Sequence, residues 1–296
     1  MYPKFLCIGA QKSGTSWLQA NMQTHPQIWL PPIKEVHYLD QRTSGIFKSL
    51  FSDSKRARKG RAYLMEQLRA LPRSGNMDEL RWALHYCFAP RSDAWYSALF
   101  PDIPGKIAGE ICPGYARLRN EGVARVHGLM PEAKIIYFVR NPVDRAWSYA
   151  NQYFTSPRRK GSYGGPDKVP ADELQAFLRR DSSGHSDFLG ALDSWQRYYR
   201  EDQMLVCFFD ELASDPRALF RRILDFVGAD SADQYLPAML GVNRNPSRGA
   251  GVSDAMRFVL SKMHLAQLRG LHARLDNPWT AQWLAMAENA LGAKDG

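Results

Sequence analysis

The sequence predicts an α/β fold with a central parallel sheet flanked by helices. Short apolar runs typical of strands occur at residues 5–8, 106–110, 134–139 and 204–209. Each run is followed by a stretch with helical periodicity, most clearly from Thr15 to about Gln23 and from Pro142 to about Tyr153. Strands that alternate with helices favour a parallel sheet covered on both faces.

The length of 296 residues fits a single domain spanning residues 1–296, because one α/β domain can reach roughly 250–300 residues. A helix-rich, basic segment at about 42–101 is predicted to be an insertion between the first and second predicted strands. The last part of the chain, at about 253–292, shows two further helical patterns. We therefore expect one domain with a helical insertion and a helical C-terminal part.

The charge balance favours anionic partners. Lys and Arg number 39 against 30 Asp and Glu, a net charge of +9, which suits nucleotides, acidic glycans, nucleic acid or membrane surfaces. Basic and aromatic residues do not alternate on one predicted surface, so nucleic acid is not expected as a partner.

No apolar run approaches the ~20 residues that span a bilayer. The first predicted strand begins after only four residues, so no signal peptide is expected, and the four scattered cysteines fit reduced thiols. We therefore expect a cytoplasmic protein with no integral membrane segment.

The turn after the first predicted strand has the composition of a phosphate-binding loop. It reads GAQKSGTSW over residues 9–17, and the following helix directs its free N–H groups and its positive dipole end at the turn. Lys12 adds a charge, and Thr15 and Ser16 add hydroxyl groups. A Walker A loop instead places Lys-Ser/Thr immediately after its last glycine. This difference weakens the interpretation as a kinase, and a Gly/Ser-rich turn without a ligand is the other alternative.

A second candidate phosphate contact follows the strand at 134–139. Arg140 stands at the carboxyl end of that strand, where open α/β sheets bind ligands, and arginine suits bidentate contact with phosphate. Ser148 lies two helical turns into the next helix, so it can face the same crevice. The alternative for Arg140 is an ion pair at the end of a strand.

Both segments resemble motifs of the sulfotransferases that use 3′-phosphoadenosine 5′-phosphosulfate (PAPS). QKSGTSWL (11–18) resembles the family's 5′-phosphosulfate loop, and VRNPVDRAWSY (139–149) resembles its 3′-phosphate motif. The resemblance implies a P-loop nucleotide-binding fold with PAPS as co-substrate. It implies that Lys12 stabilises the leaving group, Trp17 stacks on the adenine, and Arg140 and Ser148 hold the 3′-phosphate. The other residues that it implies contact the donor are Ser13, Gly14, Thr15 and Ser16, with Arg248 and Gly249 from a looser match at 243–249.

Two further segments resemble the acceptor side of the family. PIKEVHYLD (32–40) is similar to the Glu-x-His-Phe-Phe-Asp segment of heparan-type glycan sulfotransferases. This implies Glu35 as the base, His37 and Asp40 as supporting or acceptor-positioning residues, and Lys34 as a residue that orients Glu35 or helps to bind the donor. His37 is the rival base. A bound sulfonate would raise the pKa of Glu35 and Lys34 would lower it, so the expected pKa is not extreme.

The segment GEICPGY (109–115) resembles the family's Glu-Lys-Ser/Thr-Pro-x-Tyr. The resemblance implies that Glu110 lines the acceptor cleft, and Cys112 replaces the usual hydroxyl residue. We therefore expect in-line transfer of a sulfuryl group to a hydroxyl or amine, with a carbohydrate as the leading acceptor and a lipid or secondary metabolite as the alternative. A P-loop kinase that uses ATP and a non-catalytic anion-binding protein are the alternatives in function. No metal is expected, because no cluster of His, Cys and carboxylates shows ligand spacing.

Overall fold

A parallel sheet forms the centre of the protein. Among the residues described in the computed structural model (1–40, 55–74, 76–156, 163–238, 240–241 and 251–292), five strands pair in the order β2-β3-β1-β4-β5, and all four pairings are parallel. The strands are β1 (Phe5–Gly9), β2 (Ile28–Trp29), β3 (Ile107–Ile111), β4 (Lys134–Val139) and β5 (Met204–Phe208). The predicted α/β class is confirmed.

The short strand β2 was not predicted from the sequence. It has only two residues, which is too few for a periodic signal, and it lies between His25-Pro26 and Pro31-Pro32. Its register is fixed by pairing with β3, including a hydrogen bond from Ile107 N to Gln27 O of 2.7 Å. The predicted insertion therefore follows the second strand rather than the first, and its residues 42–54 and 75 lie outside the described part.

Helices cover both faces of the sheet. Alternation along the strands separates the two faces, because Leu6 and Ile8 of β1 belong to one apolar cluster and Phe5 and Cys7 belong to another. The helices are α1 (Thr15–Met22), α2 (Lys55–Ser74), α3 (Met77–Phe88), α4 (Asp93–Ala98), α5 (Asn120–Leu129), α6 (Pro142–Thr155), α7 (Ala171–Ser182), α8 (Phe188–Gln196), α9 (Glu211–Ser214), α10 (Pro216–Val227), α11 (Asp254–Leu275) and α12 (Pro278–Gly292).

The two C-terminal helices pack on each other and on the body of the protein. Helix α11 contacts α6 and α8. The Trp283 indole of α12 is buried and donates a hydrogen bond of 3.2 Å from Nε1 to Asp210 Oδ1, just beyond β5. Of the helices that the structure describes, none combines the length and the apolar character needed to cross a bilayer.

A buried ion pair joins α6 to α7. The Arg145 side chain has no exposed surface and pairs with Asp181. Its Nε donates to Ser186 Oγ at 2.8 Å, and its Nη1 lies 3.5 Å from the carbonyl oxygen of Gln11. Removing either partner of such a pair would leave an uncompensated buried charge, which costs about 3–5 kcal/mol.

Two histidines lie close enough to Arg145 to feel its charge. Burial, and then the Arg145 charge, lower the pKa of His264 on α11 to about 4. Burial, Arg145 and Arg117 lower the pKa of His185 to about 4 as well. Both rings are therefore neutral in the folded protein at neutral pH.

The low pKa of His264 predicts that acid destabilises the fold. The unfolded state binds the proton more tightly, so the stability that neutral His264 contributes is complete above about pH 6.5 and is lost as the pH falls towards 4. Between pH 7 and pH 5 the free energy of unfolding should fall by about 2 kcal/mol more in the wild type than in His264→Gln. Urea denaturation of both proteins at the two pH values measures this difference. Equal losses in the two proteins would contradict it.

Candidate active site

The loop after β1 folds as a tight turn that only glycine permits at one position. Gly14 precedes α1 with a φ of +106°, and a Cβ there would lie 2.6 Å from Leu212 Cδ1. Lys12 also has a positive φ of 70°. The chain therefore turns directly into α1, whose first N–H groups face the loop and suit a bound phosphate.

The two predicted phosphate motifs meet at the carboxyl edge of the sheet. Strands β1 and β4 are neighbours, and Ala10 N donates to Phe138 O at 2.8 Å. Arg140, which follows β4, donates from Nη1 to the carbonyl oxygen of Lys12 at 2.8 Å. Its guanidinium also lies 4.1 Å from the centre of the Phe209 ring. Lys12 and Arg140, 128 residues apart in sequence, therefore face one crevice.

Positive charge accumulates in this crevice. Burial, followed by the charges of Arg140 and Arg145, lowers the pKa of Lys12, and burial lowers the pKa of Arg140. Asp144 and Asp210 offset part of this charge at Arg140, but Asp144 also lies 3.7 Å from Arg257, and Asp181 pairs with Arg145. An anion would therefore relieve the repulsion between these cations.

The hydroxyl group of Ser13 supports a ligand at the same place. Ser13 is fully buried, and its Oγ has no hydrogen-bond partner in the described part of the chain. A buried hydroxyl without a partner is costly. A phosphate oxygen in the loop would accept its hydrogen bond, so the residues present fit the phosphosulfate end of PAPS.

Trp17, predicted to stack on the adenine, is packed among side chains of the core. Its indole is 6% exposed and packs edge-on against Phe138 and Phe220. Its Nε1 donates to Leu240 O at 2.7 Å. The ring lies in the core beneath the loop because α1 turns that side of the helix towards the sheet. Trp17 therefore packs in the core, and its predicted contact with the adenine stays a prediction.

The remaining predicted donor contacts are placed as follows. Ser148 lies on α6 and is 5% exposed, and Thr15 and Ser16 are the first two residues of α1. The predicted contacts Arg248 and Gly249 lie outside the described residues.

The segment with the predicted base lies against the donor loop. Lys34 Nζ is 3.3 Å from Ser16 Oγ and 3.4 Å from Thr15 O. The next residue, Glu35, has a φ of 63° and points its carboxylate at His37, with Oε2 3.7 Å from Nε2. About a third of each of these two side chains is exposed. The carboxylate of Glu35 is therefore accessible beside the loop that carries Lys12.

Glu35 is held ionised by its neighbours. The interaction with the His37 ring, 3.7 Å away and so longer than a hydrogen bond, contributes most, with further effects of Lys34 and Lys59; together they lower the pKa of Glu35 to about 2 although burial opposes them. The expected pKa referred to Glu35 beside a bound sulfonate and stays a prediction; it considered Lys34 and did not include His37, whose effect is the largest. Glu35 is therefore a carboxylate at neutral pH and can accept a proton.

Glu110 does not line the cleft as predicted. It is 1% exposed and accepts hydrogen bonds from Tyr96 OH (2.5 Å), Tyr115 OH (3.0 Å) and Val36 N (3.1 Å). Glu110 pairs in register with Leu6, so its side chain points to the same buried face of the sheet. Burial raises the pKa of Glu110 to about 7.

Tyr115 extends this buried network to the backbone of Tyr38, next to His37. Its hydroxyl donates to Glu110 and accepts a hydrogen bond from Tyr38 N at 3.2 Å. Glu110 and Tyr115 therefore hold the backbone on both sides of His37. The sequence motif contained both residues, but it gave no sign that they act on residues 36–39 from beneath.

A group of side chains that the sequence did not predict lies behind His37. His37 Nδ1 is 2.7 Å from Asp40 Oδ2, and Cys112 Sγ is 3.5 Å from the same nitrogen. A Cβ on Gly114 would lie 2.6 Å from Asp40 Oδ2 and 2.9 Å from His37 Cε1. This position must therefore be glycine for the group to assemble. The chain positions 37, 40 and 112 have no regular spacing that a motif search would recognise.

Comparison with known proteins identifies the family. Residues 3–233 match the family described as "Sulfotransferase family". The chain belongs to this family. Among curated sulfotransferases, it is 32% identical over 148 residues to mouse heparan sulfate glucosamine 3-O-sulfotransferase 6, covering 47% of this chain and 40% of that protein. It is 34% identical over 145 residues to the mouse 3B1 enzyme of the same description, covering 46% of this chain and 35% of that protein. The chain thus spans about two fifths of the length of these relatives.

Solved sulfotransferase structures share the fold. The sulfotransferase from Alicyclobacillus acidocaldarius aligns over 96% of this chain and 99% of its own, with a TM-score of 0.62 and 21% identity. The sulfotransferase domain of the Synechococcus PCC 7002 olefin synthase aligns over 97% and 94%, with a TM-score of 0.52 and 19% identity. These similarities confirm the P-loop type of fold that the sequence predicted.

The network beneath His37 predicts the effect of removing one hydroxyl group. Tyr115→Phe should lower the free energy of unfolding by about 1–3 kcal/mol, because Tyr38 N loses a buried acceptor. It should also speed amide hydrogen exchange in residues 36–39. Tyr199→Phe is the matched control, since it removes a buried hydroxyl bonded to Met130 O, far from this segment. The interpretation fails if both variants exchange equally at residues 36–39.

Proposed function

We propose that this sulfotransferase moves the sulfuryl group of PAPS to a hydroxyl group of a carbohydrate acceptor. The observation that carries the proposal is the contact of Lys34 with Ser16, 3.3 Å from Nζ to Oγ. It brings the Glu35 carboxylate next to the loop that contains Lys12. In-line group transfer requires a base beside the attacking hydroxyl group and a cation beside the oxygen that leaves.

The donor side of the proposal uses the positive crevice. Lys12 and the first turn of α1 take the phosphosulfate end, and Ser13 Oγ gains the acceptor that it lacks in the described structure. Arg140 takes the 3′-phosphate through its guanidinium, with Ser148 as its partner on α6. The cations carry lowered pKa values because they are buried close to one another, and the anionic donor offsets this cost.

The transfer then follows from charge and position. Glu35 removes the proton of the acceptor hydroxyl as its oxygen bonds to sulfur. The bond between sulfur and the bridging phosphate oxygen breaks, and the negative charge that develops on that oxygen lies beside Lys12. Lys12 therefore interacts more strongly with the transition state than with the bound donor, which is the condition for lowering the barrier. His37 and Asp40 orient Glu35 and the acceptor.

The carbohydrate acceptor is proposed from the likeness to the heparan sulfate enzymes together with the Glu-x-His-x-x-Asp arrangement of residues 35–40. The Glu-x-His-x-x-Asp similarity concerns the acceptor side of the site. The alternative acceptors, a lipid or a secondary metabolite, and a cytoplasmic location remain predictions from the sequence. Neither a kinase nor a purely anion-binding protein is favoured, because the family is one of sulfotransferases.

Donor recognition is tested by calorimetry with 3′-phosphoadenosine 5′-phosphate and AMP. We expect the bisphosphate to bind more tightly, and Arg140→Ala to weaken it by about 10- to 100-fold, the loss of a charged hydrogen bond to phosphate. AMP binding should change little in this variant. Arg200→Ala is the control, because Arg200 precedes β5 at the opposite edge of the sheet and pairs with Asp202. Equal affinity for AMP and the bisphosphate would contradict the assignment of Arg140, and preferred binding of ATP with Mg²⁺ would favour a kinase.

The base is tested by transfer of labelled sulfate from PAPS to heparan sulfate as the acceptor. Glu35→Gln keeps the shape of the side chain but cannot take a proton, so kcat should fall by about 10²–10⁴-fold. Its affinity for 3′-phosphoadenosine 5′-phosphate should stay normal. His37→Ala should be the milder change. An active Glu35→Gln with an inactive His37→Ala would make His37 the base, and label only in phenols or steroids would contradict the carbohydrate acceptor.

A further inference from the structure

Three side chains of different chemistry converge behind the proposed base. One potential ligand atom from each of His37, Asp40 and Cys112 lies within 4.8 Å of the others. A nitrogen, an oxygen and a sulfur form a donor set that suits borderline divalent metals such as zinc. We infer that His37, Asp40 and Cys112 form a site for a zinc-type divalent ion, and that an ion bound there inhibits the enzyme.

The distances from His37 Nδ1 to the other two ligand atoms lie within an ångström of those in a tetrahedral site. With zinc bonds of about 2.0–2.3 Å, nitrogen and sulfur ligands lie about 3.5 Å apart and nitrogen and oxygen ligands about 3.4 Å apart. Cys112 Sγ is already 3.5 Å from His37 Nδ1. Asp40 Oδ2, at 2.7 Å from the same nitrogen, must move away by less than an ångström. Three protein ligands leave the fourth position for water.

The surroundings of the group also suit a metal. Asp40 Oδ1 is buried and has no hydrogen-bond partner in the described residues. This second carboxylate oxygen is therefore available to the ion when Oδ2 moves. Gly114 leaves the space that a Cβ would fill. On the far side of the imidazole, Glu35 Oε2 lies 3.7 Å from Nε2. A carboxylate beside the second nitrogen of a metal-bound histidine is the usual outer partner, because it fixes the orientation of the ring.

Occupation of the site would change the chemistry next to it. The Cys112 thiol loses its proton to the solvent as Sγ binds the ion. The ion then engages His37 and Asp40, the two side chains proposed to orient Glu35 and the acceptor, and it moves Asp40 Oδ2 away from His37 Nδ1. These side chains can no longer position the acceptor, so transfer slows. This inhibition rests on the proposed function, whereas the binding of the ion does not.

Binding is tested with Co²⁺ as a spectroscopic probe for zinc, on the full chain without thiols or chelators. The wild type should show a thiolate-to-cobalt charge-transfer band that added Zn²⁺ removes. Cys112→Ser should lack this band. Cys87→Ser should keep it, because Cys87 is a buried thiol on α3 away from the group. If Cys112→Ser does not fold, as judged by circular dichroism, His37→Gln replaces it, since His37 is partly exposed, and should also lose the band.

A wild type without the band would overturn the site, and so would an equal band in Cys112→Ser. The inhibitory effect is measured separately as the zinc concentration that halves the metal-free transfer rate of each protein. This concentration should be at least about tenfold higher in Cys112→Ser than in the wild type or Cys87→Ser. Equal inhibition of all three proteins would overturn the inhibitory role while leaving the binding site. A chain that transfers no sulfate but shows the Cys112-dependent band would contradict the proposed function alone.

Discussion

The buried guanidinium of Arg145 is the constraint on which the active site depends. Burial lowers its pKa to about 9, and it stays charged because Asp181 pairs with it. The remaining N–H groups of Arg145 face Ser186 and the carbonyl oxygen of Gln11 in the donor loop. One side chain therefore joins α6, α7 and the segment after α7 to the loop. The charge of Arg145 also contributes to the lowered pKa of Lys12, after burial and the charge of Arg140.

The active segment at residues 35–37 is held in a conformation that it would not adopt alone. Glu35 and His37 both have positive φ values, 63° and 55°, in a region that residues other than glycine rarely occupy. Contacts from outside the segment compensate for the cost. Glu110 accepts a hydrogen bond from Val36 N, and Arg91 donates one to the carbonyl oxygen of Val36 at 3.2 Å. The carboxylate and the imidazole can then face each other because their backbone is held from behind.

The features that could be predicted from the sequence are those that depend on residues close together along the chain. Strand β4 is a continuous apolar run, and the loop before α1 combines glycines with a lysine, so both could be recognised without the structure. The role of Glu110 was wrong because a motif names a residue but does not show to which face of a strand it points. The register with Leu6, more than a hundred positions earlier, decides that direction. The packing of Trp17 could not be predicted for a similar reason, since its contact with Leu240 spans 223 positions.

The C-terminal part of the chain belongs to the folded domain although it lies beyond the region that matches the family. The family match ends at residue 233, and every predicted site residue in the described part of the chain lies before that point. Yet the Trp17 indole reaches Leu240, Gln267 on α11 donates to the carbonyl oxygen of Ser186, and Trp283 reaches Asp210. A chain cut at the end of the match would keep these site residues and lose the supports of the donor loop and of the Arg145 shell. The two contacts made by α11 and α12, from Gln267 to Ser186 and from Trp283 to Asp210, therefore tie the C-terminal helices to the part of the chain that carries the site.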